Sequence, residues 1–301
     1  MKILTFIISD SIGLVQVKLF FFAKIMELYF ASLNSGSNGN CYYVGNKSEA
    51  VLIDVGISCR ETEKRMKKLG LSMQTVKAIF VSHEHGDHIK GVSTLANKYS
   101  LPVYITSKTA VNGPRLIRHL SLTFAANESI AIGDLMIKPF SKFHDAADPH
   151  SFTISYNNIT VGVITDIGRV CSEVVQHFKQ CHAVFLESNY DTAMLENGKY
   201  PVYLKNRIRD GLGHISNDEA LELFINHRSP SLSHVLLSHL SKENNSPEMV
   251  KTLFEPHAKG TKIIVASRYV HSEIYCIGSS KNNTKKTATP FTRSSQLDLF
   301  G

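Results

Sequence analysis

The chain has 301 residues, of which 43% are hydrophobic and 20% charged, so it has the composition of a soluble globular protein with enough apolar material for a core. Its formal net charge of +7 is concentrated at the two ends, and residues 26–278 are nearly neutral, which excludes net charge as an argument for a polyanionic partner. Five cysteines, an odd number without a C-x-x-C pair, indicate reduced thiols and a cytoplasmic location.

Residues 1–25 form the one candidate targeting segment. Its apolar runs are interrupted by Ser9, Asp10 and Ser11 and again by Lys18, and no A-x-A cleavage site follows. The segment is therefore too interrupted to span a bilayer and makes a poor signal peptide. We interpret it as an N-terminal extension or a misassigned start, with a weak membrane anchor as the alternative, and expect no stable membrane association.

Residues 26–278 alternate short strand patterns with helical ones, as expected for an α/β protein. The strand candidates are rich in β-branched and aromatic residues, and in chain order they read ELYFASL, CYYVG, AVLID, AIFVSH, PVYIT, LMIKPF, SFTISY, ITVGVITD, AVFLES, HVLLSH and KIIVAS. Two helices have clear starts, because Ser216 and Glu219 form a capping box and Ser246 precedes Pro247. Without an internal repeat or linker, this stretch is predicted to be one domain.

The densest group of metal-binding residue types follows the strand AIFVS. The segment HEHGDH places His83, His85, Asp87 and His88 within six residues. On a loop leaving a strand, two histidines two positions apart can face one metal ion, while Asp87 and His88 turn toward a neighbouring one. Imidazole and carboxylate ligands together suit Zn²⁺, with Mn²⁺ or Fe²⁺ as alternatives. This density favours a metal site over surface histidines.

Four residues cannot complete two coordination shells, so further ligands must come from elsewhere in the chain. Three candidates stand at strand ends: His144 follows MIKPFSKF, Asp166 ends ITVGVIT and His239 ends HVLLS. Loops held by the strands of a rigid sheet are suitable places for such a site. Singly, each would be read as a loop histidine or a capping aspartate. Together they supply the ligands that the first cluster lacks.

These motifs resemble the metallo-β-lactamase fold. An H-x-H-x-D-H segment after a strand ending in LID (residues 52–54), followed by His, Asp and His at strand ends, is similar to that family. The resemblance implies an αββα sandwich of two mixed sheets flanked by helices, with a two-metal site on one edge. The implied ligands are His83, His85 and His144 for one metal ion, Asp87, His88 and His239 for the other, and Asp166 as the bridge.

The resemblance extends to a narrower family and covers about residues 26–278. The segments SLNSGSNGNCYYV, HEHGDHIKG, HDAADP, VGVITDIG, ESNYD, GHISNDEA and LSHLSKENN resemble, in this order, hydrolases of the WalJ/YycJ (VicX) type. That resemblance implies a DNA exonuclease, in which a metal-activated hydroxide attacks the scissile phosphate. Asp87 would be a catalytic residue as well as a ligand, and Asp54 would support the ligand loop without binding metal.

Cleavage of a phosphodiester also needs a proton for the leaving oxygen, and His214 in GLGHISNDEA is the candidate. It precedes a helix N-terminus, where backbone N–H groups favour a phosphate oxygen, and it resembles the histidine of the GHS motif in tRNase Z-type phosphodiesterases. The alternative is that His214 only packs in its loop. Two other segments stay open: ESNYD (187–191) has no assigned role, and NSGSNGNC (34–41) is better explained as a hairpin loop than as a substrate contact.

Two other functions are compatible with the metal ligands. A glyoxalase II-like thioester or lactone hydrolase shares every one of them, and only the context of His214 and the family-specific segments favour phosphodiesters. A non-catalytic interaction module held together by its metals is the second alternative. Structural zinc sites are usually closed and mononuclear, which argues against it.

The chain after Gly278 is dominated by Ser, Lys, Asn and Thr, so residues 279–301 are predicted to be a disordered tail. The tail contains QLDLF, which resembles the peptide by which bacterial replication and repair proteins dock on the DNA sliding clamp. A chance match, or a segment that packs back on the domain, is the alternative. This resemblance favours DNA over RNA as the substrate. The docking residues it implies are Gln296, Leu297, Asp298, Leu299 and Phe300.

Overall fold

The structure, a computed structural model, describes residues 2–10, 13–21 and 27–278. All seven predicted metal ligands lie within the last range, whereas the predicted tail and its clamp-docking residues lie outside the described residues. Strands β1 (Lys2–Asp10) and β2 (Gly13–Phe21) pair antiparallel with each other. Within the described chain, no helix is long and apolar enough to cross a membrane.

Two larger mixed sheets are built from strands of residues 27–278. The strands are, in chain order, β3 (Glu27–Asn34), β4 (Cys41–Gly45), β5 (Ala50–Ile53), β6 (Val76–Phe80), β7 (Val103–Tyr104), β8 (Ser121–Leu122), β9 (Ile130–Ile132), β10 (Leu135–Ser141), β11 (His150–Tyr156), β12 (Ile159–Ile164), β13 (Ala183–Glu187), β14 (His234–Ser238), β15 (Lys262–Val265) and β16 (Tyr275–Gly278). The first sheet has the spatial order β16-β3-β4-β5-β6-β7-β8, and the second has the order β15-β14-β13-β12-β11-β10-β9.

Helices flank both sheets. They are α1 (Cys59–Lys68), α2 (Gly86–Ile89), α3 (Val92–Tyr99), α4 (Ser107–Asn112), α5 (Ser172–Phe178), α6 (Thr192–Asn197), α7 (Val202–Arg209), α8 (Asn217–His227) and α9 (Pro247–Phe254). Helix α8 begins after Ser216, whose side chain and that of Glu219 form the predicted capping box. Ser246 caps α9, with Pro247 at its first position as predicted.

Three apolar layers hold the sandwich together. Between the sheets, residues of β3 to β6 such as Phe30 and Phe80 pack against Phe152 and Phe185 from β11 and β13. A second cluster joins the outer face of the first sheet to α1 and α3, and a third joins the second sheet to α5, α8 and α9. Because central strands are buried on both faces, they read as continuous apolar runs. The predicted αββα sandwich is confirmed.

The strand directions bring several chain segments to one edge of the sandwich. Strands β5 and β6 are parallel in the first sheet, and β12, β13 and β14 are parallel in the second. The carboxyl ends of parallel strands meet at the same edge, so the residues that follow these strands become neighbours. Close backbone packing fixes them further, since a Cβ atom on Gly56 would overlap the carbonyl oxygen of Asp87.

The sequence missed three short strands of the two larger sheets, β8, β9 and β16. Strand β16 forms the free edge of the first sheet, where Tyr275 pairs with Phe30 of β3. Four residues are too few to show the alternation of apolar and polar side chains that marks a strand, and only pairing with β3 defines this one.

Candidate metal centre

Three of the residues that follow the strands adopt a left-handed backbone. Asp54 after β5, Asp166 after β12 and His239 after β14 have φ angles of 59°, 54° and 56°. This conformation is uncommon for residues other than glycine and costs on the order of 1–3 kcal/mol where the surroundings enforce it. It turns each of these side chains sharply out of its strand and toward the shared edge.

His83, His85 and His144 form the first cluster at that edge. One ligand-type atom from each lies within 4.8 Å of the others. The ring centres of His83 and His85 are 4.6 Å apart, and that of His144 lies 4.8 Å from His83 and 5.1 Å from His85. The rings are steeply inclined to one another, so their edges point at a common space without stacking.

Asp87, His88 and His239 form the second cluster, directly beside the first. The Asp87 Oδ2 atom lies 3.6 Å from Nε2 of His88 and 3.5 Å from Nε2 of His239. The ring centres of His83 and His88 are only 4.0 Å apart, so the two clusters are adjacent.

Asp166 lies between the two clusters. Its Oδ2 atom is 3.4 Å from Nε2 of His88, and its Oδ1 atom is 4.0 Å from Nε2 of His144 and 3.3 Å from Nδ1 of His239. The structure thus brings together all seven residues that the sequence singled out as ligands, and Asp166 contacts members of both clusters.

Hydrogen bonds fix which ring nitrogen of three histidines faces the shared space. The Nδ1–H of His88 donates to Asp54 Oδ2 at 2.7 Å, and that of His144 donates to the Gly213 carbonyl at 2.8 Å. Ser82 Oγ donates to Asp54 Oδ2, so it accepts from Nδ1 of His83, 2.9 Å away. The Nε2 lone pairs of His83 and His144 are therefore left for a partner other than the protein, whereas Nε2 of His88 also lies 3.0 Å from Asn40 Nδ2.

Four buried atoms at the centre lack hydrogen-bond partners. Nε2 of His83, His144 and His239 and Oδ2 of Asp166 are buried and make no hydrogen bond in the described chain. A buried, unpaired polar atom is strongly unfavourable, and four of them around one point need an explanation. Imidazole nitrogens and carboxylate oxygens are donors for divalent metal ions, so this set of side chains fits a divalent metal centre.

The electrostatics agree with bound cations. Burial lowers the pKa of His83 well below its usual range and does the same to His144, so both imidazoles are neutral, as metal ligands must be. Burial also opposes the charge on His239, but the carboxylates of Asp166, Asp87 and Glu187 raise its pKa to about 10. Without metal, the proton on His239 thus balances the negative charge of these carboxylates, which a bound cation would otherwise do.

The centre opens into a cavity of about 230 Å³. Its lining combines ligand-type side chains and their neighbours with residues of the segment around α7. The lining residues are Ser37, His85, Asp87, His144, Asp145, Asp166, Asn189, Tyr200, Leu204, Arg207, Ile208, Gly213, His214, His239 and Ser241.

His214 lies within the centre, as the sequence analysis expected. Its ring centre is 5.3 Å from that of His144 and 5.0 Å from that of His239. Its Nδ1–H donates to Glu187 Oε1 at 2.7 Å, and about a fifth of the side chain is exposed. The Nε2 atom is consequently the one left to meet a bound molecule.

Comparisons with known proteins agree with this geometry. Residues 35–161 match the family model of the metallo-β-lactamase superfamily. The exodeoxyribonuclease YycJ of Bacillus anthracis is 37% identical over 230 residues, which cover 75% of this chain and 87% of the relative. The exodeoxyribonuclease WalJ of Streptococcus pneumoniae is 30% identical over 226 residues, which cover 73% of this chain and 84% of the relative. The chain belongs to the WalJ/YycJ family of the metallo-β-lactamase superfamily.

A solved structure supports the fold. The metallo-β-lactamase fold protein YhfI of Bacillus subtilis superposes with a TM-score of 0.64, covering 83% of this chain and 99% of that protein. At 13% identity the likeness is one of fold alone.

Sequence reasoning left Glu187 without a role, although it is central. This fully buried residue ends β13, accepts from His214 and from the Ile167 backbone N–H, and lies 3.2 Å from Nδ1 of His239. Burial raises the pKa of its carboxyl, but His214 and His239 outweigh that effect and lower it, so it stays ionised. The sequence did carry one signal for such a role, because Glu187 stands at the end of a predicted strand, as Asp54 and Asp166 do.

Sequence reasoning also gave the Gly- and Ser-rich loop between β3 and β4 too simple a role. The loop does connect a hairpin, as its composition indicated. It also supports the centre, since Asn40 Nδ2 donates to Asp87 Oδ2 at 3.2 Å and Ser35 Oγ accepts from the His239 backbone N–H.

Asp54 offers a test of this supporting layer. Replacing it by Asn keeps the shape and tolerates the left-handed backbone, but it removes the negative charge that holds His88 and Ser82. We expect the affinity for Zn²⁺ or Mn²⁺ to fall about 10- to 100-fold, as for other groups that orient metal ligands. The measurement is competition with a chelating dye, on protein shown by circular dichroism to be folded.

The matched control is Asp218→Asn on the exposed surface of α8, which should bind metal as the unmodified chain does. Unchanged affinity of the Asp54→Asn variant would contradict a role for Asp54 in holding the ligand loop.

Proposed function

We propose that this chain is a metal-dependent exodeoxyribonuclease that holds two divalent metal ions. The observation that carries the proposal is the convergence of buried, unpaired donor atoms on one cavity, in a chain whose relatives at 37% and 30% identity are named exodeoxyribonucleases. The proposed ligands are His83, His85 and His144 for one ion, Asp87, His88 and His239 for the other, and Asp166 between them. Zn²⁺ is the first choice and Mn²⁺ the second, because the donors are mainly imidazoles with two carboxylates.

Bound ions of this kind neutralise phosphate oxygens and lower the pKa of coordinated water. The protein's own contribution is to hold the donors in place and to keep the carboxylates ionised. Asp166 is fully buried, and burial raises the pKa of its carboxyl. The neighbouring His239 and His88 outweigh this effect and lower the pKa well below its usual range. Asp87 combines the role of ligand with a charge that faces the cavity.

His214 is the proposed proton donor to the leaving oxygen. Its Nδ1–H donates to the ionised Glu187, as a catalytic histidine does to the buried carboxylate that orients it, so Nε2 is directed away from Glu187. The same hydrogen bond fixes the ring's orientation, so Nε2 carries its proton into the cavity.

The two alternative functions receive no support from the relatives. A thioester or lactone hydrolase would use the same ligands, but the relatives that cover most of the chain are named for DNA cleavage. A purely structural metal module would not leave ligand atoms facing a cavity.

The segment QLDLF is proposed as a docking peptide for the bacterial DNA sliding clamp. Leu299 and Phe300 would fill an apolar pocket on the clamp, and Gln296 would hydrogen-bond at its edge. Such docking would place the nuclease in DNA replication or repair. A cytoplasmic location belongs to the same proposal and is consistent with five cysteines that are all free.

Nuclease activity is tested with chelated protein reloaded with Zn²⁺ or Mn²⁺. The substrates are 5′- and 3′-labelled single-stranded and duplex DNA, beside a panel of thioesters. We expect stepwise shortening of DNA that requires metal, and a loss of at least about a hundredfold on Asp87→Ala, because the metal supplies several kcal/mol of transition-state stabilisation.

Asp218→Ala on α8 is the matched control and should cut at the normal rate. Thioester hydrolysis without DNA cleavage, or full DNA cleavage by the Asp87→Ala variant, would refute the assignment.

The role of His214 as proton donor is tested by comparing two substrates whose leaving groups differ in their need for a proton. His214→Ala should lower kcat on DNA by roughly 10²- to 10⁴-fold, the usual contribution of a general acid. On the p-nitrophenyl ester of thymidine monophosphate the loss should be much smaller, since p-nitrophenolate leaves without a proton. Equal losses on both substrates, with metal content unchanged, would mean that His214 is not the proton donor.

Clamp docking is tested by deleting residues 296–301. The shortened chain should lose binding to a purified bacterial sliding clamp in surface plasmon resonance, while its metal-dependent hydrolysis of DNA stays intact, because none of the proposed ligands is among the deleted residues. The double variant Leu299→Ala, Phe300→Ala should behave in the same way. Clamp binding that survives either change would disprove the docking peptide.

A further inference from the structure

Helix α7 presents an apolar face to the metal centre. Leu204 and Ile208, one turn apart on this helix, line the cavity together with Tyr200, which lies just before it. All three are partly exposed, and no residue of α7 is buried in the core. The helix therefore contributes apolar side chains to the lining of the cavity, and these side chains stay partly exposed.

The rest of the lining is mainly polar and includes three carboxylates. These belong to Asp87, Asp145 and Asp166, and they lie beside the imidazoles of the centre. A molecule that meets both kinds of lining, with cations bound at the centre, would combine a phosphate with a flat apolar surface. A nucleotide has this combination, because its phosphate binds cations and its base stacks on aromatic or apolar side chains.

The cavity is small, and part of it opens to solvent. Its volume of about 230 Å³ is below the roughly 300–1,000 Å³ typical of pockets for drug-sized molecules. A site of this size suits the single nucleotide at the end of a strand.

Arg207 is the only lysine or arginine among the described residues that line the cavity. Its Nε and Nη2 atoms both donate to Asp145 Oδ2, at 2.6 and 2.5 Å, while 60% of its side chain remains exposed. Asp145 lies beside the centre, with Oδ1 3.4 Å from Nε2 of His144. The guanidinium is thus held at the mouth of the site, where a phosphate oxygen can replace or share the carboxylate.

We propose that Tyr200 and the cavity-facing side of α7 bind the nucleoside next to the scissile phosphate, with its base stacked on Tyr200 beside Leu204, and that Arg207 binds a phosphate of the same DNA strand. This proposal rests on the proposed nuclease function and adds a site for the base, so that the end of a strand is held between the metal centre and α7.

The test combines enzyme variants with abasic DNA. Oligonucleotides carry a tetrahydrofuran residue in place of the terminal or the penultimate nucleotide, and are compared with intact DNA on metal-loaded full-length protein. Tyr200→Ala should raise the KM and the Kd for intact DNA about tenfold, within the range for one base stacked on an aromatic ring. One of the two abasic positions should cause a similar rise in the unmodified protein.

The decisive result is the combination of the two changes. If the base stacks on Tyr200, abasic DNA should bind the Tyr200→Ala variant no more weakly than intact DNA does, as expected for partners in one contact. Tyr200→Phe, which keeps the ring, should restore normal binding. The control is Tyr99→Ala on α3, a partly exposed tyrosine that does not line the cavity. The proposal would be overturned if Tyr200→Ala and the abasic substitution weakened binding by independent factors that multiply. It would also be overturned if Tyr200→Ala had no effect.

Binding is measured by fluorescence anisotropy as well as by turnover, so the test does not depend on hydrolysis. Protein that binds DNA with the predicted coupling but cleaves nothing would refute the nuclease function and keep the base site. Protein that cleaves DNA but lacks the coupling would refute the base site and keep the nuclease function.

Arg207 is tested by the salt dependence of binding. A phosphate contact to single-stranded DNA releases counterions and contributes about 0.7 to the slope of log affinity against log salt. Arg207→Gln should reduce the slope by about that amount, whereas Lys67→Gln on the exposed surface of α1 should leave it unchanged. An unchanged slope for Arg207→Gln would show that this residue only pairs with Asp145.

Discussion

The structure of the centre depends on the burial of carboxylates beside imidazoles at one edge of the sandwich. Asp54, Asp166 and Glu187 are almost completely withdrawn from water. A buried carboxylate is strongly unfavourable unless hydrogen bonds and positive charge compensate it. Backbone and serine donors satisfy Asp54, and histidines surround the other two. Nε2 of His83, His144 and His239 and Oδ2 of Asp166 stay unpaired at this centre, where metal cations would complete the balance.

The two sheets make this arrangement possible because each ends its parallel strands at the same edge. Asp54 comes from the first sheet, whereas Asp166, Glu187 and His239 follow three adjacent strands of the second. The apolar layer between the sheets fixes their separation, and with it the distance between ligands far apart in the chain. The left-handed backbone at Asp54, Asp166 and His239 is held in place by this surrounding structure.

The cavity combines two kinds of surface, which under the proposal would meet different parts of a nucleotide. The ligand-bearing loops are buried and tied together by hydrogen bonds. Helix α7 contributes Leu204 and Ile208 to the lining although none of its residues is buried in the core.

The sequence by itself determined the chemistry of the centre and the class of fold. The dense segment from His83 to His88 indicated metal, and apolar strands ending in His or Asp indicated where the other ligands stand, because these are local patterns. The supporting contacts required the tertiary structure. Ser35 meets His239 across more than two hundred residues, and Glu187 meets His214 from a different loop. Only the packing of two sheets decided these contacts, the cavity and the position of α7, since no local pattern encodes which strand ends become neighbours.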